Sequence, residues 1–216
     1  MNLRIGKALV FALALAGSAY LMALAIESPK YVWLGWVTLL PLFYAIRVLS
    51  PVRALISGAF WGACLFLASV AFARTEIAPT LGAFTLLSLI PGAYCYFGAA
   101  LTRRIGFSPY LLALGWIGVE LAIRPLGLRY GLLAGTQGDS MVVRVVGSFA
   151  GYVLVAFLVA YFNAALLSVL HDVRMSLAIP RWVARSSGPS RRLIPADVPC
   201  DLTRFLHILQ PRAPPV

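Results

Sequence analysis

Glu120 and Arg124 are the most conspicuous polar residues inside the apolar runs of this chain. They lie four residues apart in the segment WIGVELAIRPLG. On a helix this spacing puts both side chains on one face, with the acid on the N-terminal side. Because an unpaired charge is costly in an apolar interior, the spacing predicts an ion pair that locks this helix end to its neighbours. The alternative is contact of Arg124, helped by Arg129, with a lipid phosphate or headgroup.

Two uncharged polar residues, Gln137 and Asn163, follow further along the chain. An amide side chain within a membrane bundle can donate and accept hydrogen bonds across segments. We therefore predict that both residues cross-link helices by hydrogen bonds. The candidate contacts for a lipid or a partner are Glu120, Arg124, Arg129, Gln137 and Asn163.

No catalytic set can be assembled from the remaining residues, and none is predicted. Cys200 and His207 supply at most two metal ligands, whereas a structural zinc site needs about four. Neither a phosphate-binding glycine loop with lysine nor a dinucleotide-binding fingerprint is present. The sequence thus predicts no metal site and gives no independent sign of an enzyme.

The composition indicates the elements that must position these residues. Of 216 residues, 61% are hydrophobic and 12% charged, and the mean hydropathy is +0.89. A soluble domain cannot bury that much apolar surface, whereas a spanning helix needs about 20 apolar residues. We predict an all-α, polytopic membrane helix bundle of about six transmembrane helices. Its apolar runs are 8–26, 31–46, 52–72, 80–101, 109–123 and 145–170.

Proline and glycine predict details of these runs. The run 31–46 is short, aromatic and kinked at Pro41, so it either spans or re-enters the membrane. Pro91 is expected to bend the fourth run. Glycines four residues apart allow helix backbones to approach closely, within the chain or, alternatively, in a dimer. These pairs are Gly58 with Gly62 and Gly147 with Gly151.

The net charge of +11 indicates how the chain is oriented in the membrane and does not indicate nucleic-acid binding. The reason is that the basic residues lie in short segments between apolar runs and in the tail. A cytoplasmic N-terminus places most of them on one side, so both termini are predicted to be cytoplasmic. The loop 124–144 is the exception. This loop carries basic residues although it is predicted to lie on the non-cytoplasmic side of the membrane. Such exceptions to the charge rule are often functional.

The residues after the bundle differ in composition. We predict two regions, a transmembrane bundle over 1–170 and a basic, Pro- and Ser-rich cytoplasmic tail over 171–216. A short amphipathic helix near 201–209 would dock on a partner or on a membrane. Its apolar face comprises Leu202, Phe205, Leu206 and Leu209.

The stretch WIGVELAIRPLGLRYGLLAGTQ, with PYLLALG before it and VGSFAGYVLVAFLVAYFNAALL after it, resembles the membrane domain of bacterial apolipoprotein N-acyltransferase. In that family a helix with Trp, Glu and Arg leads into a loop ending in Gln, and the next helix carries Asn-Ala near its end. The resemblance implies a multi-pass protein of the bacterial inner membrane. The residues that fit are Trp116, Glu120, Arg124, Gly127, Gln137, Gly147, Gly151, Asn163 and Ala164.

The sequence also departs from that family. Its enzymes carry a carbon-nitrogen hydrolase domain with a Glu-Lys-Cys set, whereas the lysines here are Lys7 and Lys30, and the tail is too short for such a domain. Arg129 and Tyr130 stand where the family usually has Pro and Trp.

We therefore expect a non-catalytic, lipid-associated membrane module that acts as an accessory or structural subunit of a larger complex. It would take no cofactor, and its partners would be membrane lipids, including a bound phospholipid, and proteins. The alternative is the membrane half of a split lipoprotein N-acyltransferase whose hydrolase half is a separate chain. A small lipid transporter is a third hypothesis, to which bent helices give weak support.

Overall fold

The computed structural model describes residues 2–72, 81–123, 132–137 and 141–178, and every regular element among them is a helix. The chain divides into two compact units, 1–175 and 176–216. The α-helices are α1 (Asn2–Glu27), α2 (Leu40–Val48), α3 (Pro51–Ala71), α4 (Leu81–Ile105), α5 (Pro109–Ile123) and α6 (Met141–Ala178), and 3-10 helices cover Pro29–Trp36 and Gly135–Gln137.

Five segments of the described residues are long and apolar enough to cross a membrane. They are Gly6–Glu27, Pro29–Val48, Pro51–Ala71, Leu81–Ile105 and Gly151–Asp172. The fifth predicted run, 109–123, is α5, whose 15 residues make it about 22 Å long, shorter than a bilayer core of about 30 Å. The all-α, multi-pass fold is confirmed, while the cytoplasmic location of both termini stays a prediction.

The second segment is broken rather than kinked. A 3-10 helix covers Pro29–Trp36, turn residues follow, and α2 begins at Leu40. Pro41 lies in the first turn of α2, where its missing N–H would have had no helical acceptor. The proline therefore starts a helix, and the break precedes it.

Close contact between α3 and α4 is made possible by glycine. A Cβ on Gly58 would lie 2.5 Å from the Pro91 carbonyl oxygen, and a Cβ on Gly62 would overlap the carbonyl oxygen of Leu87. The prediction that this glycine pair packs helices within the chain is confirmed. Backbone thus packs on backbone, as small residues allow in membrane bundles.

The last helix has its own break, at Gly151. This residue has φ 77° and ψ 163°, a conformation that L side chains rarely adopt. Nothing among the described atoms lies within 4 Å of a Cβ built there. The backbone dihedral therefore requires glycine at Gly151, while the close helix contact expected of Gly147 and Gly151 stays a prediction.

The centre of the bundle is aromatic. Trp61 and Trp116 are both fully buried, and their ring centroids are 6.2 Å apart in an edge-to-face arrangement. The Trp116 ring also meets Tyr94 edge-on at 5.3 Å and Phe43 at 6.5 Å. Such pairs are favoured over face-to-face stacking because of the ring quadrupole. Trp116, on α5, is thereby held by α2, α3 and α4.

Candidate functional site

Glu120 anchors the segment 132–137 to the end of α5. Its carboxylate is buried and accepts three hydrogen bonds. The Trp116 indole N–H donates to Oε1 at 2.8 Å, the Leu133 amide to Oε1 at 2.8 Å, and the Leu132 amide to Oε2 at 2.6 Å. Hydrogen bonds to a charged acceptor are short and strong. The acid thus satisfies two backbone amides of a non-helical segment.

Trp116 positions this carboxylate. It lies one helical turn before Glu120, so its indole N–H points along the helix surface towards the acid. The aromatic neighbours described above fix its ring. The orientation of Glu120 therefore depends on the core of the bundle as well as on its own helix.

Gln137 joins the same segment to the first 3-10 helix. Its Nε2 donates to the Val32 carbonyl at 2.6 Å and to the Thr136 hydroxyl at 3.0 Å. Its Oε1 accepts from the indole N–H of Trp36 at 3.3 Å. Because Val32 and Trp36 are more than 100 residues away in sequence, Gln137 closes a long-range contact between two irregular segments.

Asn163 closes the break in the second segment. Its Oδ1 accepts from the Leu39 amide at 3.1 Å, and its Nδ2 donates to the carbonyls of Gly35 at 3.1 Å and Val159 at 2.9 Å. Asn163 has no exposed surface. Backbone groups freed by a helix break must be satisfied internally at membrane depth, and this side chain does so.

Gly35 lies where these contacts meet. A Cβ there would be 2.5 Å from the Thr136 hydroxyl and 3.0 Å from Gln137 Nε2, so only glycine allows this close approach. We call Glu120, Gln137 and Asn163 the polar clamp. It holds the backbone of residues 32–39 and 132–137 in place, and Gly35 lies where the two segments meet.

A second polar cluster involves Arg47 at the end of α2. Its Nη2 lies 3.0 Å from His171 Nδ1 and 3.7 Å from Asp172 Oδ1, and its guanidinium covers the Phe107 ring at 4.7 Å. Since a guanidinium can only donate, His171 Nδ1 is the acceptor. The cluster ties α2 and α6 to the turn between α4 and α5. No local sequence pattern predicts this contact, because Arg47 and His171 are 124 residues apart.

The predicted hydrogen-bond cross-links by Gln137 and Asn163 are confirmed. Arg124, Arg129 and the predicted tail helix with Leu202, Phe205, Leu206 and Leu209 lie outside the described residues. The Glu120–Arg124 pair therefore stays a prediction, as does contact of any of these residues with a lipid or a partner. Sequence reasoning missed Gly35 and Trp36.

The chemistry of the polar clamp is structural. Both carboxylate oxygens of Glu120 and both amide atoms of Gln137 and Asn163 are engaged by protein groups. Within the described ranges, no three His, Cys, Asp or Glu side chains come together to hold a metal ion. The clamp thus fixes the backbone of two irregular segments, one of which includes part of the first 3-10 helix.

Comparison with known protein families assigns most of the chain to one family. Residues 18–165 match the family described as the apolipoprotein N-acyltransferase N-terminal domain, and this range is about two thirds of the chain. The chain belongs to this family. No curated protein and no solved structure matches it.

The match to the N-acyltransferase N-terminal domain family includes the whole polar clamp. It begins within α1 and ends two residues after Asn163, so it includes every described contact of Glu120 and Gln137. The predicted tail lies after the matched range. The family and the apolar helices together make this a multi-pass membrane protein with a membrane domain of the N-acyltransferase type.

Proposed function

We propose that this chain is a non-catalytic membrane module that presents a rigid surface to a protein partner, as an accessory or structural subunit of an inner-membrane complex. One observation carries the proposal. Each of the three side chains of the polar clamp binds the backbone of one of two irregular segments, residues 32–39 and 132–137. Buried polar networks that are fully satisfied rigidify the structure around them.

The surface itself supports a partner-binding role. Trp33 is 60% exposed on the first 3-10 helix, two residues before the buried Gly35. Tryptophan is enriched both at membrane interfaces and among interface residues that contribute most to binding. An aromatic side chain on a rigid element is suited to contact with a partner that lies outside the bilayer.

The experiment uses photo-crosslinking in the native membrane. A photoreactive residue at Trp33 is compared with one at Leu9, which is 59% exposed on α1. We expect Trp33 to crosslink a protein that copurifies at fixed stoichiometry in mild detergent, and Leu9 to give lipid adducts alone. Equal protein crosslinking at the two positions, or copurification of no stoichiometric protein, would contradict the proposal.

The second candidate is the membrane half of a split N-acyltransferase, and the family supports it. In that case the crosslinked partner would contain a carbon-nitrogen hydrolase domain, and coexpression of the two chains would acylate lipoprotein N-termini. A stoichiometric partner without such a domain and without acyl transfer favours the accessory role instead.

The tail docking helix near 201–209 is a separate part of the proposal. Each basic residue near an anionic membrane surface contributes about 1 kcal/mol of attraction. Removal of residues 197–216 is expected to release the partner or to weaken membrane-surface attachment of the tail. Unchanged association after this deletion would exclude docking through the tail while leaving the Trp33 surface untouched.

A further inference from the structure

An apolar groove lies between α4 and α5. Its volume is about 300 Å³. That is about twice the volume of an engineered apolar cavity that admits benzene, so it is large enough for hydrocarbon. The residues that line it are Ile90, Tyr94, Phe97, Gly98, Leu101, Leu111, Leu112, Gly115, Gly118 and Val119.

Glycine accounts for the depth of the groove on α5. Gly118 has open space in front of its Cβ position, and a Cβ on Gly115 would meet only the edge of the Tyr94 ring, at 3.2 Å. A larger residue at Gly118 would therefore project into the groove without disturbing the backbone. Phe97, at the rim, is 68% exposed.

The groove matches one leaflet of a bilayer. On α4 it extends from Ile90 to Leu101, about 16 Å at 1.5 Å per residue, which is about half of a 30 Å hydrocarbon core. α4 is one of the candidate membrane spans. The groove therefore lies at membrane depth, where the surrounding medium is lipid hydrocarbon.

Positive charge lies at one end of the groove. Phe97, Leu101 and Arg104 follow one another at spacings of four and three residues, which places them along one face of α4. Arg103 and Arg104 are exposed in the last turn of the helix, and no hydrogen bond or ion pair joins either side chain to another described residue. An anionic headgroup at this end would meet both guanidinium groups.

From the groove and these two arginines we infer a binding site for one anionic phospholipid, with an acyl chain between α4 and α5 and the phosphate at Arg103 and Arg104. The charge count places this end on the cytoplasmic side, so the lipid belongs to the inner leaflet. This inference rests on the membrane module proposed above and specifies the lipid that the sequence led us to expect. It concerns the opposite end of the bundle from Trp33.

The test is native mass spectrometry of the full chain released from nanodiscs of equal phosphatidylglycerol and phosphatidylcholine. We expect one phosphatidylglycerol to remain bound to the wild type. Gly118→Leu should fill the groove and lower the bound fraction roughly tenfold. Arg103→Gln with Arg104→Gln should also lower it roughly tenfold, as expected when two basic contacts near the membrane surface are lost.

Matched controls separate the site from general effects. Gly17→Leu makes the same change at an exposed, uncrowded position on α1, and Lys7→Gln with Arg53→Gln removes two exposed charges predicted to be on the same side. Both controls should retain the lipid. Equal retention in every variant, equal retention of the two lipids, or no retained lipid would overturn the inference. The Trp33 crosslinking result is independent of each of these outcomes.

Discussion

The side chain of Asn163 accepts a hydrogen bond from the backbone amide of Leu39, 124 residues earlier in the chain. This contact supplies the acceptor that the broken second segment cannot provide for itself. It also explains why a polar residue without exposed surface lies in the middle of an apolar helix.

Asn163→Leu is expected to destabilise the fold by about 1–3 kcal/mol, because it leaves the Leu39 amide buried without an acceptor. The measurement is the free energy of unfolding in mixed micelles under denaturant titration. Ser168→Ala is the control, since the Ser168 hydroxyl bonds to the Ala164 carbonyl of its own helix. If the two variants unfold alike, Asn163 does not stabilise the break.

Glu120→Gln is expected to loosen residues 132–133. An amide has one oxygen, so its NH₂ group would face either the Leu132 amide or the pair of donors at Oε1. The loss of a hydrogen bond to a charged group is about 1.5–3 kcal/mol. Hydrogen exchange measured by mass spectrometry should show faster exchange of the Leu132 and Leu133 amides. Asp172→Asn, at an exposed carboxylate, should leave that exchange unchanged, and slow exchange in Glu120→Gln would contradict the anchoring role.

Gly35→Ala tests the close approach of the two irregular segments. The added Cβ would lie 2.5 Å from the Thr136 hydroxyl oxygen, so we expect a loss of about 1–3 kcal/mol from overpacking. Thr136→Ala in the same chain removes that oxygen and should recover part of the loss. A double-mutant cycle measures the coupling, which should exceed about 0.5 kcal/mol. Strictly additive effects would mean that the clash is not the cause.

Gly62→Ala tests the α3–α4 contact. Its Cβ would overlap the Leu87 carbonyl oxygen, a backbone atom that cannot rotate away, so the helices must separate. We expect the unfolding temperature to fall. Gly17→Ala, in open space on α1, should raise it or leave it unchanged, because alanine is the better helix former. A Gly62→Ala variant as stable as the wild type would show that the two helices do not depend on this contact.

Local signals in the sequence predicted most of the helix bounds. The run 109–123 coincides with α5, and 52–72 differs from α3 by one residue at each end. Hydropathy and flanking proline are sufficient there because both are local properties. At Pro41 the same signal misled, since a proline in an apolar run is compatible with a kink and equally with the first turn of a new helix.

The sequence predicted that the polar residues form hydrogen bonds, but it did not predict which groups are their partners. Gln137 and Asn163 were recognised as cross-links from their residue type, but their partners, the Val32 carbonyl and the Leu39 amide, lie in a segment whose break the sequence did not predict. For Glu120, spacing pointed to Arg124, whereas the described contacts are an indole and two backbone amides. Tertiary geometry decides which backbone groups lack partners.

The distance in sequence between Leu39 and Asn163 imposes an order on biogenesis. At about 5–20 residues per second, Asn163 is synthesised roughly 6–25 s after Leu39. Until then the broken segment enters the membrane with an amide that only water or the insertion machinery can satisfy. Final placement of the second segment must therefore wait for the last helix, and a chain truncated before Asn163 would leave that segment at the bilayer surface.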